Sequence, residues 1–224
     1  MSNVISKLRE WFAAFVAKEK AKTSPLRLLT HPIDTVEEMK EKRTGSFFSA
    51  TILLLLYTIS EIIVTVAKGF LFNTARPEEF DLFFVCCRSL FLILLFVLAN
   101  WALCTLLDGE GRMIDIYIYS CYCLTPLIVF KIFDTIISNL VTSDEYVFVS
   151  MVEFCAMAWF LCLLIFSLKR LHNYTMKKIL FNLLLSVAGM IVIFFLIFLF
   201  VVLMQQLYIF GATIVTEITM RSMA

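Results

Sequence analysis

The chain is 224 residues long and 61% hydrophobic, with 23 Phe and a mean hydropathy of +0.92. A soluble domain is nearer half apolar, so this excess excludes an ordinary water-soluble fold and points to an integral membrane protein. A net charge of +1 speaks against a nucleic-acid partner and leaves the placement of the charges as the informative quantity.

The first 45 residues are charged and lack the uninterrupted apolar stretch and small-residue cleavage site of a signal peptide, so none is expected. Within them Val4, Ile5, Leu8, Trp11, Phe12, Phe15 and Val16 recur at helical steps, with Lys7, Arg9 and Glu10 between them. The pattern predicts an amphipathic helix over 4–16, too short and too charged to span, that lies on the inner membrane surface or docks a partner. Thr35 followed three residues later by Glu38 is a capping-box signature, which predicts a short helix over Val36–Lys42 ended by Gly45. Pro32 disfavours helix at His31, so His31-Pro32 reads as a corner between surface segments, with His31 structural or interfacial.

Five apolar runs follow: Ser46–Phe72, Phe84–Leu107, Met113–Leu140, Tyr146–Leu168 and Leu180–Leu207. Each is long enough to cross about 30 Å of hydrocarbon at about 1.5 Å per residue. The connections 108–112 and 141–145 are so short that the spans they join are antiparallel neighbours. The third run is over-long for the bilayer and meets Pro126 near its middle. Proline cannot donate to the carbonyl of Tyr122, so a kink is predicted there, with the hydroxyls of Tyr119, Tyr122 and Thr125 placed to serve the freed group. The fifth run is apolar without a break from Met190 to Met204 and faces lipid or another subunit. Gln205-Gln206 then mark an interface, and 208–222 reads as a weakly amphipathic helix with Phe210, Ile214, Val215 and Ile218 on one side. The fold class is therefore all-α, with a tail over 1–45, a five-helix membrane domain over 46–207 and an outer-face helix over 208–224.

Basic residues set the orientation. Nine lie in the tail, and Arg112, Lys169, Arg170, Lys177 and Lys178 fall on the same side, whereas the opposite side holds Arg76 and Arg221. Positive-inside bias puts the N terminus in the cytoplasm and, after five crossings, the C terminus outside.

Six ionisable residues sit well inside the spans: Glu61, Lys68, Arg88, Lys131, Asp134 and Glu153. With this orientation all six fall in the outer half of the bilayer, where a charge facing lipid is expensive (about 2.5–3.5 kcal/mol at the centre), so they face inward, pair or snorkel. Lys68 and Arg88 are near enough to span ends to snorkel; if they bend inward, the set balances at three acids against three bases. Thr51, Thr58, Glu61, Thr65 and Lys68 form one polar face of the first span, and Lys131, Asp134 and Ser138 a matching face of the third. The set reads as an ion-pair network joining spans one, three and four, or alternatively as an outward-opening cavity for an ion or polar solute.

No catalytic, cofactor or metal site is expected. All seven Cys fall in predicted spans, and the Cys86-Cys87 and Cys121-x-Cys123 spacings do not share a helix face. The two His make no metal-binding pair, and no nucleophile elbow or Gly-rich phosphate loop is present. Asp108-Gly-Glu110-Gly has too few acids for a calcium loop. Asn173-Tyr174-Thr175 fits the glycosylation pattern but lies on the predicted cytoplasmic side.

Several short motifs together resemble the Yip (Ypt-interacting protein) family of five-span membrane proteins, its bacterial members above all. They are His31-Pro32 before the first span, Trp101 followed by Leu107-Asp108-Gly109-Glu110-Gly111-Arg112, Leu124-Thr125-Pro126 in a tyrosine-rich helix, and Thr142-x-x-Glu145 before the fourth span. The resemblance covers roughly 28–207 and implies a five-span helical domain with a cytoplasmic N terminus, here in a bacterial plasma membrane. Eukaryotic members act in membrane trafficking and engage small GTPases through a long cytoplasmic N-terminal region that has no counterpart in the tail, so GTPase binding is not expected. The expected function is that of a non-enzymatic membrane scaffold or accessory subunit that forms a homo-oligomer or joins a partner membrane complex. The alternatives are a transporter or channel using the outer acidic cluster, and bilayer remodelling through the N-terminal helix.

Overall fold

A computed structural model of the chain describes residues 27–42, 44–69, 81–107, 109–142 and 145–223. The amphipathic helix expected over 4–16 lies outside them. Among the described residues the regular elements are all helices: α1 (Arg27–Thr30), α2 (Pro32–Lys42), α3 (Phe47–Ala67), α4 (Leu82–Leu106), α5 (Met113–Cys123), α6 (Thr125–Ser138), α7 (Tyr146–His172) and α8 (Met176–Met223). Five stretches are long and apolar enough to cross a membrane, namely α3, α4, α5 with α6, α7 and α8. The turns 109–112 and 173–175 meet α2 at one end of the bundle, which Lys40, Arg112, Lys169, Arg170, Lys177 and Lys178 make basic. The other end is here called the far end.

The surface helix starts earlier than its capping box predicts. Pro32 takes the first turn, where its missing N–H would have no partner anyway. The carbonyl of His31, the exposed non-helical corner, then accepts both the N–H of Thr35 (3.1 Å) and its hydroxyl (2.6 Å). Thr35 is thus an interior residue rather than a cap, and Glu38 pairs instead with Arg27 at 2.8 Å. Leu28, Val36 and Met39 are buried in the main core, and α2 rests on α7.

The third span is the hub. In its most apolar stretch 67% of residues are buried, against 22–28% for α3, α4 and α7. It touches all three of those helices, and an unbroken run from Ile116 to Thr125 is buried. The predicted kink takes the form of a one-residue interruption at Leu124, whose N–H turns back to Cys121 (3.1 Å). The Tyr122 carbonyl that Pro126 leaves without its helical donor receives the Thr125 hydroxyl at 2.7 Å.

Two span ends differ from expectation. α7 runs past Leu168 to His172 and stops on Asn173, whose left-handed φ of 55° ends the helix as Asn tolerates better than most residues. α8 starts at Met176 and continues through Gln205-Gln206 to Met223, so the helix expected over 208–222 is its continuation and not a separate cap. The physical reason is plain: glutamine is a good helix former, and a polar pair changes what a helix faces without breaking it. At 48 residues α8 is about 72 Å long. Its first half leans on α4, where Gly189 lies against Ala99 and Leu103.

Candidate functional site

The six intramembrane charges come together in the half of the bundle near the far end, as two triads. In the first, Lys68 at the end of α3 lies 3.2 Å from Asp134 of α6 and also pairs closely with Glu153 of α7. In the second, Glu61 of α3 lies 2.8 Å from Lys131 of α6 and 3.6 Å from Arg88 of α4. Helical spacing explains the division. Glu61 and Lys68 are two turns apart, about 10 Å, so one group cannot hold both. Lys131 and Asp134 are one turn apart and meet one triad each.

Lys68 and Arg88 both reach inward, so the expected balance of three acids and three bases is the arrangement found. The expected network of spans one, three and four acquires the second span as well, through Arg88. The two triads are of opposite composition: one base between two acids, and one acid between two bases. Burial is uneven, with the Asp134 side chain 4% exposed and those of Arg88 and Glu153 about half exposed. One carboxylate oxygen of Asp134 has no hydrogen-bond partner among the described residues. Lys131 also lies over the ring of Tyr57, 5.8 Å from its centroid.

The predicted polar faces are used along their length. Thr51 meets the Tyr117 hydroxyl (3.2 Å), and Ser89 of α4 donates to Thr58 (3.1 Å). Thr65 turns back to the carbonyl of Glu61. At the far end Ser138 accepts from the N–H of Gly69 (3.0 Å), and Asn139 donates to the carbonyl of Ala67 (2.8 Å). A Cβ on Gly69 would fall 2.1 Å from the Ser138 carbonyl oxygen, so only glycine permits this approach.

A second polar cluster, not foreseen, closes the basic end around His172. Its ring is 2% exposed. The N–H of Gly111 donates to Nδ1 (3.2 Å), which leaves the proton on Nε2. Nε2 then donates to Asn100 Oδ1 (3.3 Å), with Cys104 Sγ 3.1 Å away. Asn100 in turn donates to Ser186 (3.0 Å), and Ser186 to the Asn182 carbonyl (2.8 Å). Tyr174 stacks on the imidazole at 5.2 Å and donates to the Leu107 carbonyl (3.2 Å). Four pieces are fastened here: α4, the 109–112 turn, α7 and α8. A protonated Nε2 is no metal ligand, and among the described residues no three His, Cys, Asp or Glu group as one. The cluster ties α4, α7, α8 and the 109–112 turn to one another.

Gly109 and Gly111 have a role here that needs no unusual φ. A Cβ on Gly111 would sit 2.4 Å from His172 Cε1, and one on Gly109 would sit 2.6 Å from the Tyr174 hydroxyl. The loop can close over the ring only because both lack side chains. Lys40 completes this end: its Nζ donates to the Arg170 carbonyl and to Asn173 Oδ1, both at 2.7 Å, a cation at the negative end of α7. Asn173 donates to Glu110 (2.7 Å), which gives the triplet that matches the glycosylation pattern a structural part instead. Elsewhere, Glu145 accepts from the Thr142 N–H (3.4 Å) at the start of α7. Sequence reasoning follows ionisable groups, so it passes over Asn100 and Asn182 and leaves His172 without its partners. The available signal is an amide standing inside each of two long apolar runs.

The motifs thus fall at helix starts, at the interrupted third span and at the loop over His172, which is where a shared architecture would need them. Comparison with curated proteins and with solved structures gives no match. The model of one family, described as the Yip1 domain, matches residues 26–215, from just before α1 well into the projecting part of α8. With five membrane-crossing helices and a match over most of its length, the chain belongs to the Yip1 domain family.

Proposed function

We propose that this protein is a non-enzymatic scaffold or accessory subunit of a membrane, working by helix-mediated association with a second copy or with a partner membrane complex. The observation that carries the reading is α8. A bilayer needs about 20 apolar residues in a helix, and even a strong tilt adds only a few. α8 has 48 residues, and none of its most apolar window is buried. Past the Gln205-Gln206 pair, Leu207, Phe210, Ile214 and Ile218 form an exposed stripe at three- and four-residue steps, with Thr213 and Thr216 turned away from it. Such a stripe outside lipid needs cover, and a parallel helix supplies it.

The basic-residue asymmetry supports a cytoplasmic basic end, hence a cytoplasmic N terminus and an extracytoplasmic C terminus, while the plasma-membrane setting rests on the resemblance to bacterial members of the family. The test compares the full chain with one ended after Gln205, purified in mild detergent and by pull-down from native membranes. Assembly or a co-purifying membrane protein for the full chain, lost on truncation, is expected. A monomer without companions in both cases refutes the reading.

A second reading is favoured by one observation, the unpartnered buried oxygen of Asp134 beside a half-exposed Glu153. It is a polar path for an ion or small solute. Flux through liposomes that disappears on combining Glu61→Gln, Asp134→Asn and Glu153→Gln would establish it, and the absence of flux in the parent chain would end it.

A further inference from the structure

The face between α4 and α8 carries a feature that the scaffold reading does not use. Phe84, Cys87, Phe91 and Leu92 of α4 and Met190 and Phe194 of α8 line an open groove of about 660 Å³. Phe91 and Phe194 meet edge to face across it, with ring centroids 6.2 Å apart. The walls are apolar, and Arg88, the one charged residue among the lining residues, contributes the carbon stem of its side chain to them.

Two facts give the groove a direction and a sign. Arg88 lies six residues into α4, about 9 Å along its axis. At 25 residues α4 is about 37 Å long and overhangs the hydrocarbon slightly at each end. The guanidinium reaches inward to Glu61 through Nη2, yet it stands within a long stem's length of the headgroup layer at the far end, and the groove runs from it toward the acyl region. Its side chain is 50% exposed, and its partner Glu61 is already held more closely by Lys131, at 2.8 Å against 3.6 Å. That triad carries two cations for one anion, a surplus of one positive charge beside lipid. A guanidinium offers five donors in a planar fork suited to phosphate oxygens.

We infer that the α4–α8 groove seats one acyl chain of an anionic phospholipid whose phosphate is held by Arg88. The occupant is a lipid and not a second copy of the chain, because a helix packed here would bury the surplus charge with no anion to meet it, whereas a lipid brings both the chain and the anion. This goes beyond the scaffold reading, which concerns the projecting stripe beyond Met190–Phe194.

The test uses the full chain in detergent, titrated with dioleoyl-phosphatidylglycerol and, separately, dioleoyl-phosphatidylcholine, with bound lipid counted by native mass spectrometry. One phosphatidylglycerol is expected to stay bound with a preference over phosphatidylcholine of about tenfold, the worth of one charge-assisted hydrogen bond. Arg88→Gln should remove the preference, Arg88→Lys should keep most of it, and Leu92→Trp, which fills the groove, should reduce retention of both lipids. Lys178→Gln, at the opposite end, should change nothing. Equal retention of the two lipids by the parent chain overturns the proposal. So does a preference that survives Arg88→Gln, or a lipid-free dimer that Leu92→Trp dissociates. Helicity by circular dichroism identifies a variant that has lost its fold, and Leu92→Trp, which leaves the partners of Glu61 in place, then carries the test: undiminished lipid retention in it overturns the proposal. Truncation after Gln205 leaves the groove intact, so lipid preference and self-association fail separately.

Discussion

The two ends of the bundle are fastened by different chemistry. At the basic end a neutral cluster around His172 joins α4, α7 and α8 with hydrogen bonds between amide, hydroxyl, thiol and imidazole groups, all buried and closed over by Gly109 and Gly111. At the far end six full charges form two triads across α3, α4, α6 and α7, some of them half exposed. Desolvation decides which kind of bond suits which end. Neutral groups enter a dry helix junction at modest desolvation cost and gain little each; charges cost more to bury and are strong only when every partner is in place. The third span, buried along most of its length, connects the two regimes, while α8 is held at one end only.

That contrast is broken most severely at Lys68, the lone cation between two acids. Lys68→Met leaves the nearly buried Asp134 without its counter-charge and should cost about 3–5 kcal/mol, the loss typical of removing one member of a buried pair. Thermal unfolding in detergent checks this. Adding Asp134→Leu should restore much of the loss, because an apolar replacement for the whole pair is tolerated where half of it is not. A loss below about 1 kcal/mol for Lys68→Met would mean the triad behaves as a surface pair, and the contrast between the ends would collapse.

At the basic end the largest effect is steric. Gly111→Ala places a methyl group 2.4 Å from the imidazole and should destabilise by about 1–3 kcal/mol, with loss of the loop's hydrogen bond to Nδ1. Gly211→Ala is the matched control: nothing lies within 4 Å of its Cβ, and in a helix the change should stabilise by up to about 1 kcal/mol. Asn100→Ala removes the bonds to His172 and Ser186 together and should cost about 1–2 kcal/mol, near the upper range for neutral bonds between membrane helices. If Asn100→Ala rivals Lys68→Met, the neutral end is the stronger fastening and the comparison reverses.

Much of this is legible in the sequence. The five spans follow from apolar length, and the inward pairing of six charges from the cost of leaving them in lipid. The stacking into two triads is implicit in the seven-residue step from Glu61 to Lys68, yet which base meets which acid depends on helix rotation, which no single run of residues encodes. The His172 cluster is illegible for a related reason. Its members come from four separate stretches, at 100 and 104, at 111, at 172 and at 186, and none of them alone signals the others. The continuation of α8 past Gln205-Gln206 escapes a reading that treats polarity as a boundary, when only a missing donor or a strained φ ends a helix.

The smallest effect is also the most local. Pro126 leaves the Tyr122 carbonyl without its helical donor, and the Thr125 hydroxyl serves it at 2.7 Å inside a span where no water reaches. Thr125→Val keeps the shape and removes the donor, so it should cost about 0.6 kcal/mol, the average for one such bond in a membrane helix. Restoring the backbone donor with Pro126→Ala in the same chain should recover that loss, because the alanine's own N–H would then take the carbonyl. Unfolding of the single and double variants in the same detergent measures both steps. Failure of the second change to compensate the first would show that the interruption at Leu124 is imposed by the packing of α3 and α7 around the hub. The proline would then accommodate the bend without causing it, and the third span would owe its shape to its neighbours at both ends.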